Sequence, residues 1–197
     1  MVQIAITGNI GCGKTTICQL MENEGVPVYY SDFRAKQLMN QNESLIDSIK
    51  DRFGEESYQD GLLNRKWISS IVFDDATALN DLNNLVHPVV QKDYLNWVCQ
   101  QTKDIIAYES AILIEHGNQG NFDVVILVQC PEKIRFERIQ KRDGLNLDQV
   151  QARSHFQWPE EEKIKYADYL IENTALEQAK QQLSSVLVSI RKQLQKD

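Results

Sequence analysis

Residues 8–15, GNIGCGKT, match the pattern G-x-x-x-x-G-K-[ST]. An apolar run, Val2–Thr7, precedes them and is typical of a buried strand, and helically spaced apolar residues follow from Ile17 onward. Glycines allow consecutive backbone N–H groups to face phosphate oxygens, which side chains would obstruct. The following helix adds the positive end of its dipole. Together these features predict a phosphate-binding loop.

Each residue type in this loop has a predicted task. Lys14 is long enough to reach the β- and γ-phosphates of a nucleotide, and the Thr15 hydroxyl can bind Mg²⁺. Cys12 has two interpretations: a thiol whose pKa is lowered beside the helix terminus, or a small residue that fits the loop, which we prefer. We predict that the nucleotide contacts Gly8, Gly11, Cys12, Gly13, Lys14, Thr15 and Thr16.

Four further apolar runs follow the loop, at residues 26–30, 105–110, 123–129 and 169–173. Continuous apolar runs separated by helical patterns are typical of strands buried on both faces of a parallel sheet. The sequence therefore predicts an α/β fold with five parallel strands flanked by helices. The last helical pattern, residues 176–194, carries one apolar stripe that we expect to pack on the sheet.

Residues 31–104 separate the second and third predicted strands, and this segment is far longer than a crossover helix needs. Helical patterns fill it, and the longest, which begins near Asp75, is interrupted before Pro88. We interpret residues 31–104 as a helical insertion that binds the acceptor substrate and the charged segment 132–158 as a lid. A single domain then has its core in residues 1–30, 105–131 and 159–197.

The composition disfavours several classes of protein. The chain has 42% hydrophobic and 25% charged residues, which is ordinary for a globular domain, and its formal net charge of −7 disfavours a general binder of nucleic acids or membranes. No apolar run approaches the roughly 20 residues of a membrane span, and no signal peptide is recognised. The four cysteines are scattered, so we expect reduced thiols in a cytoplasmic protein.

Other motifs restrict the classes of phosphate-binding protein that this sequence fits. A GTPase would carry D-x-x-G after a buried strand, but the matching residues 51–54 follow a polar segment, and its N-K-x-D motif is absent. No apolar run ends in the aspartate that commonly holds Mg²⁺ in such proteins. The third predicted strand ends instead in Glu109, which could bind Mg²⁺ through water or form a solvated strand end.

Asp32 lies just past the second predicted strand. The carboxyl ends of strands in an open α/β sheet converge on the ligand crevice, so this carboxylate could accept the proton of an attacking hydroxyl. A phosphate acceptor would need no such base, and Asp32 therefore favours an alcohol acceptor. The alternative is that Asp32 caps the following helix, a role for which Ser31 competes.

Five basic residues lie within ten positions of an otherwise acidic chain: Lys133, Arg135, Arg138, Lys141 and Arg142. This concentration of charge suits a lid that closes over ATP phosphates, although a charge run is usually a solvated face. We predict phosphate contacts for Arg138 and Arg142, and solvent exposure for Lys133 and Lys141.

Several motifs, spread over most of the chain, resemble those of the dephospho-coenzyme A kinase family. The loop TGNIGCGKTT (residues 7–16) is similar to the family's TGGIGSGKS/T, and VPVYYSDFRAKQL (26–38) to its VPV-x-D-A-D…A-R-Q-L, with Asp32 at the second aspartate. The chain departs from the family at Tyr30, in place of the first aspartate, and at Glu109 and Ala111. Shorter matches are FG (53–54), GLLNR (61–65), LVHP (85–88), ESAILIE (109–115) and ADYLIEN (167–173). Residues 130–143 resemble the lid sequence of the family.

The resemblance implies a P-loop kinase fold and transfer of phosphate from ATP to the ribose 3′-hydroxyl of 3′-dephospho-coenzyme A, the last step of coenzyme A biosynthesis. It implies ATP and Mg²⁺ as cofactors, and no nucleic acid, membrane or obligate protein partner. The implied roles are catalysis by Lys14, Asp32 and Arg142, metal binding by Thr15 and Glu109, ATP binding by Arg138, Arg142 and Asn173, and acceptor binding by Asp32, Arg65 and His87.

Three alternatives accompany this interpretation. His87 could equally be a structural histidine at a helix break. Another P-loop kinase that phosphorylates a small alcohol would share the loop, but the long insertion favours a large acceptor. A regulatory protein that binds ATP as a switch would also share it, but Asp32 and the arginine-rich lid argue against that function.

Overall fold

The computed structural model of the chain describes residues 1–73, 75–144, 150, 154 and 157–194. The strands in this part are, in chain order, β1 (Val2–Thr7), β2 (Val28–Tyr30), β3 (Tyr58–Gln59), β4 (Leu62–Leu63), β5 (Ile105–Glu109), β6 (Val124–Gln129) and β7 (Tyr169–Glu172). Five of them form one sheet in the order β2-β5-β1-β6-β7. The pairs β1–β5, β1–β6 and β6–β7 are parallel, and the predicted five-stranded parallel sheet is confirmed.

Helices account for most of the remaining described residues. They are α1 (Lys14–Asn23), α2 (Ser31–Gln41), α3 (Glu43–Phe53), α4 (Arg65–Val72), α5 (Ala76–Cys99), α6 (Glu132–Asp143), α7 (Glu160–Lys163) and α8 (Leu176–Leu194). Short 3₁₀ helices cover Glu55–Ser57, Asn118–Asn121 and Ile164–Tyr166. In the part of the chain that the structure describes, none of the helices combines the length and apolarity that crossing a membrane requires.

The chain divides into two compact units, and the first comprises Met1–Val28 and Thr102–Asp197. Its central strand β1 buries consecutive residues, since Ile4, Ala5 and Ile6 are all fully inaccessible. Burial on both faces explains why this strand is continuously apolar rather than alternating. Helix α8 packs against β7 and α1 through its predicted apolar stripe, which includes Ala179, Leu183, Val186, Leu187 and Ile190.

The parallel direction of the strands determines where the site of the first unit lies. β1 ends at Thr7, directly before the glycine-rich loop, and its Ile6 pairs in register with Glu109 at the end of β5. On the other side, Gln129 at the end of β6 pairs with Glu172 at the end of β7. Four strand ends therefore meet along one edge of the sheet, where open α/β sheets bind their ligands.

The second unit, Tyr29–Gln101, contains α2 to α5 and the two short strands β3 and β4. The predicted interruption of its longest helix is wrong, because α5 runs without a break from Ala76 to Cys99 with Pro88 inside it. Val86 and Val90, on either side of the proline, are both buried. Packing of this continuous apolar stripe outweighs the hydrogen bond that the proline cannot donate.

A hairpin in the second unit was not predicted. β3 and β4 pair antiparallel, with Tyr58 opposite Leu63, and the turn between them has positive φ angles of 51° at Asp60 and 77° at Gly61. The dipeptide Asp-Gly is a strong signal for such a turn. Because each strand has only two residues, no alternating pattern accompanies the signal.

Three side chains of the second unit form a polar network between its helices. Asp93 on α5 accepts two hydrogen bonds from the Arg34 guanidinium on α2, at 2.6 and 2.9 Å, and a third from the Tyr29 hydroxyl at 2.7 Å. The hydrogen bonds from Arg34 hold the pKa of the Asp93 carboxyl below its ordinary value, and partial burial opposes this effect. The network therefore fixes α2, which carries Asp32, against α5.

We predict that Asp93→Asn lowers the free energy of unfolding by about 1–3 kcal/mol at pH 7, because hydrogen bonds to charged groups contribute about that much. The folded-state pKa of Asp93 is depressed, so its stabilisation is present above the unfolded-state pKa of roughly 4 and is lost as the pH falls through the folded value. Urea unfolding at a series of pH values should therefore show the difference between variant and wild type shrinking below roughly pH 4.

Asp81→Asn is the matched control for this experiment. Asp81 also pairs with an arginine of the second unit, at 2.7 Å from Arg52, but the two side chains are 36% and 45% exposed. Its loss should cost less than about 1 kcal/mol. Equal losses for the two variants, or a loss at Asp93 that does not depend on pH, would contradict the prediction.

Candidate active site

The loop of residues 8–15 connects β1 to α1 and folds tightly on itself. The Cys12 amide donates to the Asn9 carbonyl at 3.1 Å, and the Lys14 ammonium donates to the Gly8 carbonyl at 2.9 Å. Gly13 is the N-cap of α1, and in the described part of the chain no side chain caps this helix. The Thr16 N–H donates to the Gly13 carbonyl at 3.0 Å, so the N–H groups of Lys14 and Thr15 are the ones that face an anion, which the helix dipole also favours.

Two glycines of the loop are required by close packing as well as by backbone conformation. Gly13 has a φ of 88°, and a Cβ there would collide with the side-chain amide of Asn173. Gly8 has a φ of 148°, and a Cβ there would collide with the Val128 carbonyl of β6. The loop therefore lies directly against the ends of β6 and β7.

Asn173 and Arg138 hold the middle of the loop from outside. The Asn173 side chain is buried and donates to the Cys12 carbonyl at 2.9 Å, while its backbone N–H donates to Gln129 at 2.8 Å. The Arg138 guanidinium donates to the Asn173 carbonyl at 2.9 Å and to the Cys12 carbonyl at 3.4 Å. The structure thus brings both predicted nucleotide-binding residues to the loop.

The Cys12 side chain is completely buried within the loop. Burial raises the pKa of its thiol above the ordinary value, and the nearby Lys14 charge opposes this effect only in part. The interpretation of Cys12 as a thiol of lowered pKa is therefore wrong. Its small apolar side chain fits the loop, as the preferred interpretation holds.

Thr15 and Glu109 are the predicted metal ligands. Thr15 is exposed in the first turn of α1, and Glu109 is 8% exposed at the end of β5. Within the described ranges, no three His, Cys, Asp or Glu residues are grouped so that they could hold a metal ion by themselves. A hydroxyl and one carboxylate suit Mg²⁺ that arrives with a polyphosphate, because Mg²⁺ keeps several waters and binds few protein ligands.

The basic residues of α6 have different environments. Lys133 and Lys141 are exposed, as predicted. Arg142 is also exposed, and its guanidinium pairs with the adjacent Asp143 at 2.8 and 2.9 Å rather than with the loop. Arg135 is buried, and its backbone carbonyl would lie 2.7 Å from a Cβ at Gly11. Phosphate contact by Arg142 stays a prediction.

The predicted acceptor-binding residues all belong to the second unit. Asp32, Arg65 and His87 are exposed, on α2, α4 and α5 respectively. Both capping alternatives at α2 are wrong, because its N-cap is Tyr30 and, among the described residues, no side chain makes a capping hydrogen bond there. The alternative of a helix break at His87 is wrong as well, since α5 is continuous.

Sequence reasoning missed two inward-facing residues, Gln157 and Lys163. Gln157 accepts a hydrogen bond from the Ile10 amide at 2.7 Å, and Lys163 is completely buried 2.5 Å from Glu115. A glutamine next to a tryptophan carries no motif, and a lysine that follows three glutamates indicates a solvated surface. Only the fold reveals that these side chains point inward.

The chain matches a family model described as dephospho-CoA kinase over residues 2–178. A dephospho-CoA kinase of Porphyromonas gingivalis is 36% identical over 174 residues, which cover 88% of this chain and 86% of that protein. The crystal structure of TT1252 from Thermus thermophilus is similar with a TM-score of 0.88 at 31% identity, covering 95% of this chain and 96% of that one. Dephospho-CoA kinase from Campylobacter jejuni is similar with a TM-score of 0.63 at 25% identity, with the same coverage.

We predict that Gly13→Ala weakens ADP binding by roughly ten- to hundredfold, because the added methyl group displaces Asn173 and overpacking of this kind costs about 1–3 kcal/mol. Titration calorimetry measures the affinity, and thermal unfolding monitors the fold. Gly25→Ala is the matched control, since Gly25 has a φ of 78° but no described atom within 4 Å of a Cβ. Equal loss of affinity in both variants would show that backbone strain, and not contact with Asn173, is responsible.

Proposed function

The chain belongs to the dephospho-CoA kinase family, and we propose that it transfers the γ-phosphoryl group of ATP to the ribose 3′-hydroxyl of 3′-dephospho-coenzyme A. The products are ADP and coenzyme A, and the reaction is the last step of coenzyme A biosynthesis. The observation that carries the proposal is the phosphate loop at the end of β1, with a buried Lys14 and an uncapped helix N-terminus, in a chain that matches the family over residues 2–178.

The donor side of the reaction is assigned to the first unit. Backbone N–H groups of the loop and of the first turn of α1 bind the ATP phosphates, and Lys14 exchanges the Gly8 carbonyl for phosphate oxygens. Arg142 leaves Asp143 to contact the phosphates, and Lys14 and Arg142 stabilise the charge of the transferring group. The full set of ATP contacts is Gly8, Gly11, Cys12, Gly13, Lys14, Thr15, Thr16, Arg138, Arg142 and Asn173.

Thr15 and Glu109 would hold Mg²⁺, the threonine through its hydroxyl and the glutamate through water. When bound, the ion neutralises phosphate charge and orients the β- and γ-phosphates. The buried position of Glu109, in register with the strand that leads into the loop, supports this assignment.

The acceptor side is assigned to Asp32, Arg65 and His87. All three side chains are exposed, so a substrate can reach them. Asp32 lies in the first turn of α2. It accepts the proton of the 3′-hydroxyl as the ribose oxygen bonds to the γ-phosphorus and the bond to ADP breaks. No strong base is needed for this step, because phosphoryl transfer depends chiefly on positioning and charge stabilisation.

The test is an assay of ADP formation with ATP, Mg²⁺ and a panel of alcohols that includes dephospho-coenzyme A, shikimate and simple nucleosides. Turnover should require dephospho-coenzyme A. Lys14→Ala, assayed in parallel, should be folded and inactive, which assigns the activity to this chain. Turnover with a small alcohol alone would identify a different metabolite kinase, and nucleotide binding without ADP formation would identify a switch protein.

We predict that Asp32→Asn lowers kcat by about 10²- to 10⁴-fold, because asparagine retains the shape of the side chain but cannot take a proton. The KM for dephospho-coenzyme A should change much less, since the amide still accepts a hydrogen bond. Asp47→Asn removes the same charge from an exposed position on α3 of the same unit and should leave kcat unchanged. An Asp32 variant with normal kcat and raised KM would make this residue a binding group rather than the base.

A further inference from the structure

Gln157 links the phosphate loop to the segment that follows β5. Its side-chain oxygen accepts the Ile10 N–H at 2.7 Å, and its side-chain nitrogen donates to the Ala111 carbonyl at 2.8 Å. Ile10 lies in the first half of the loop, and Ala111 lies two residues beyond Glu109. One side chain therefore sets the position of the loop relative to the end of β5.

The residue after Gln157 is fixed in turn by two contacts. The Trp158 N–H donates to a carboxylate oxygen of Glu115 at 3.0 Å, and the Asn9 side chain of the loop donates to the Trp158 carbonyl at 3.5 Å. The Lys163 ammonium lies 2.5 Å from the same Glu115 oxygen. Contacts therefore lead from Lys163 through Glu115, Trp158 and Gln157 to the backbone of the loop. We refer to these four residues as the brace.

The charged pair at the base of the brace is fully enclosed. Lys163 has no exposed side-chain surface and Glu115 has 6%. The second Glu115 oxygen is buried without a hydrogen-bond partner among the described residues. Burial lowers the pKa of Lys163, and the pairing with Glu115 opposes this effect only in part. Because desolvation offsets most of the attraction in such a pair, stability alone is a weak reason for its presence.

We propose that Gln157 is a positioning residue that holds the phosphate loop in the conformation that binds nucleotide phosphates, and that the Glu115–Lys163 pair fixes Gln157 in that role. The proposal rests on the proposed function only in that the ligand of the loop is an adenine nucleotide. Asn173 and Arg138 hold the loop at the Cys12 carbonyl, and Gln157 holds it at the Ile10 amide. The brace therefore acts on the phosphates and not on the adenosine part of the nucleotide.

The test compares the affinities of ADP and adenosine, each measured by competition with a fluorescent ADP analogue in the presence of Mg²⁺ and without acceptor. Gln157→Leu removes both hydrogen bonds of the side chain. It should lower the affinity for ADP about three- to tenfold, the usual effect of losing one or two such bonds. Adenosine affinity should stay within twofold. Gln101→Leu is the matched control, because Gln101 is also half-buried and also donates to a backbone carbonyl, that of Trp97.

A second variant, Glu115→Leu/Lys163→Met, replaces the pair with apolar residues and leaves no lone buried charge. It should also weaken the binding of ADP and not that of adenosine. Adding Gln157→Leu to it should cause little further loss of ADP affinity, because the effects of substitutions at coupled residues are not additive. Each variant is first checked for folding by thermal unfolding, and either one alone tests the selectivity for ADP.

Equal weakening of ADP and adenosine, or no weakening of ADP, would overturn the role of Gln157. Fully additive losses would overturn its dependence on Glu115 and Lys163. Because no acceptor is present, these outcomes are independent of whether dephospho-coenzyme A is phosphorylated in the assay of the proposed function.

Discussion

The first unit depends on one constraint: the phosphate loop must present bare backbone N–H groups and yet remain rigid. A loop that used its own side chains for rigidity would cover the groups that bind phosphate. The Lys14 side chain bonds to Gly8 within the loop, but further support comes from outside it. Asn173 and Arg138 hold the Cys12 carbonyl, and Gln157 holds the Ile10 amide. The glycines then serve a second purpose, because the absence of a side chain at Gly13 is what lets Asn173 come so close.

Most of the fold could be predicted from the sequence, because buried parallel strands and amphipathic helices leave strong periodic signals. The five strands and the stripe on α8 were found in this way, and the loop was found from the spacing of its glycines and lysine. The predictions were wrong where tertiary packing outweighed a local sequence preference. Pro88 is unfavourable inside a helix, but burial of Val86 and Val90 on one stripe keeps α5 intact. The pKa of Cys12 follows from burial rather than from the helix terminus beside it.

The residues that bind a nucleotide are also unequally predictable. Lys14 and Asn173 belong to motifs, and the concentration of charge on α6 drew attention to Arg138. The assignments of Asp32, Arg65, His87, Arg142, Thr15 and Glu109 stay predictions. Gln157 and Lys163 could not be found from the sequence, because Gln157 belongs to no motif and a lysine after three glutamates ordinarily indicates a solvated surface. Their orientation depends on contacts with Ile10, Ala111 and Glu115, which lie far away in the sequence, and no local pattern encodes such contacts.

The residues that hold the phosphate loop lie far from it in the sequence, and this has a consequence for synthesis on the ribosome. The hydrogen bond between Asn173 and Cys12 spans 161 positions, so the phosphate loop is made well before the residue that holds it. Arg138 and Gln157 also come from the last third of the chain. The nascent protein therefore has its nucleotide-binding motif long before it has the groups that shape that motif. A polypeptide that stops before residue 173 carries the complete signature of the loop without the Asn173 contact, so full nucleotide affinity should appear only after residue 173 has been made.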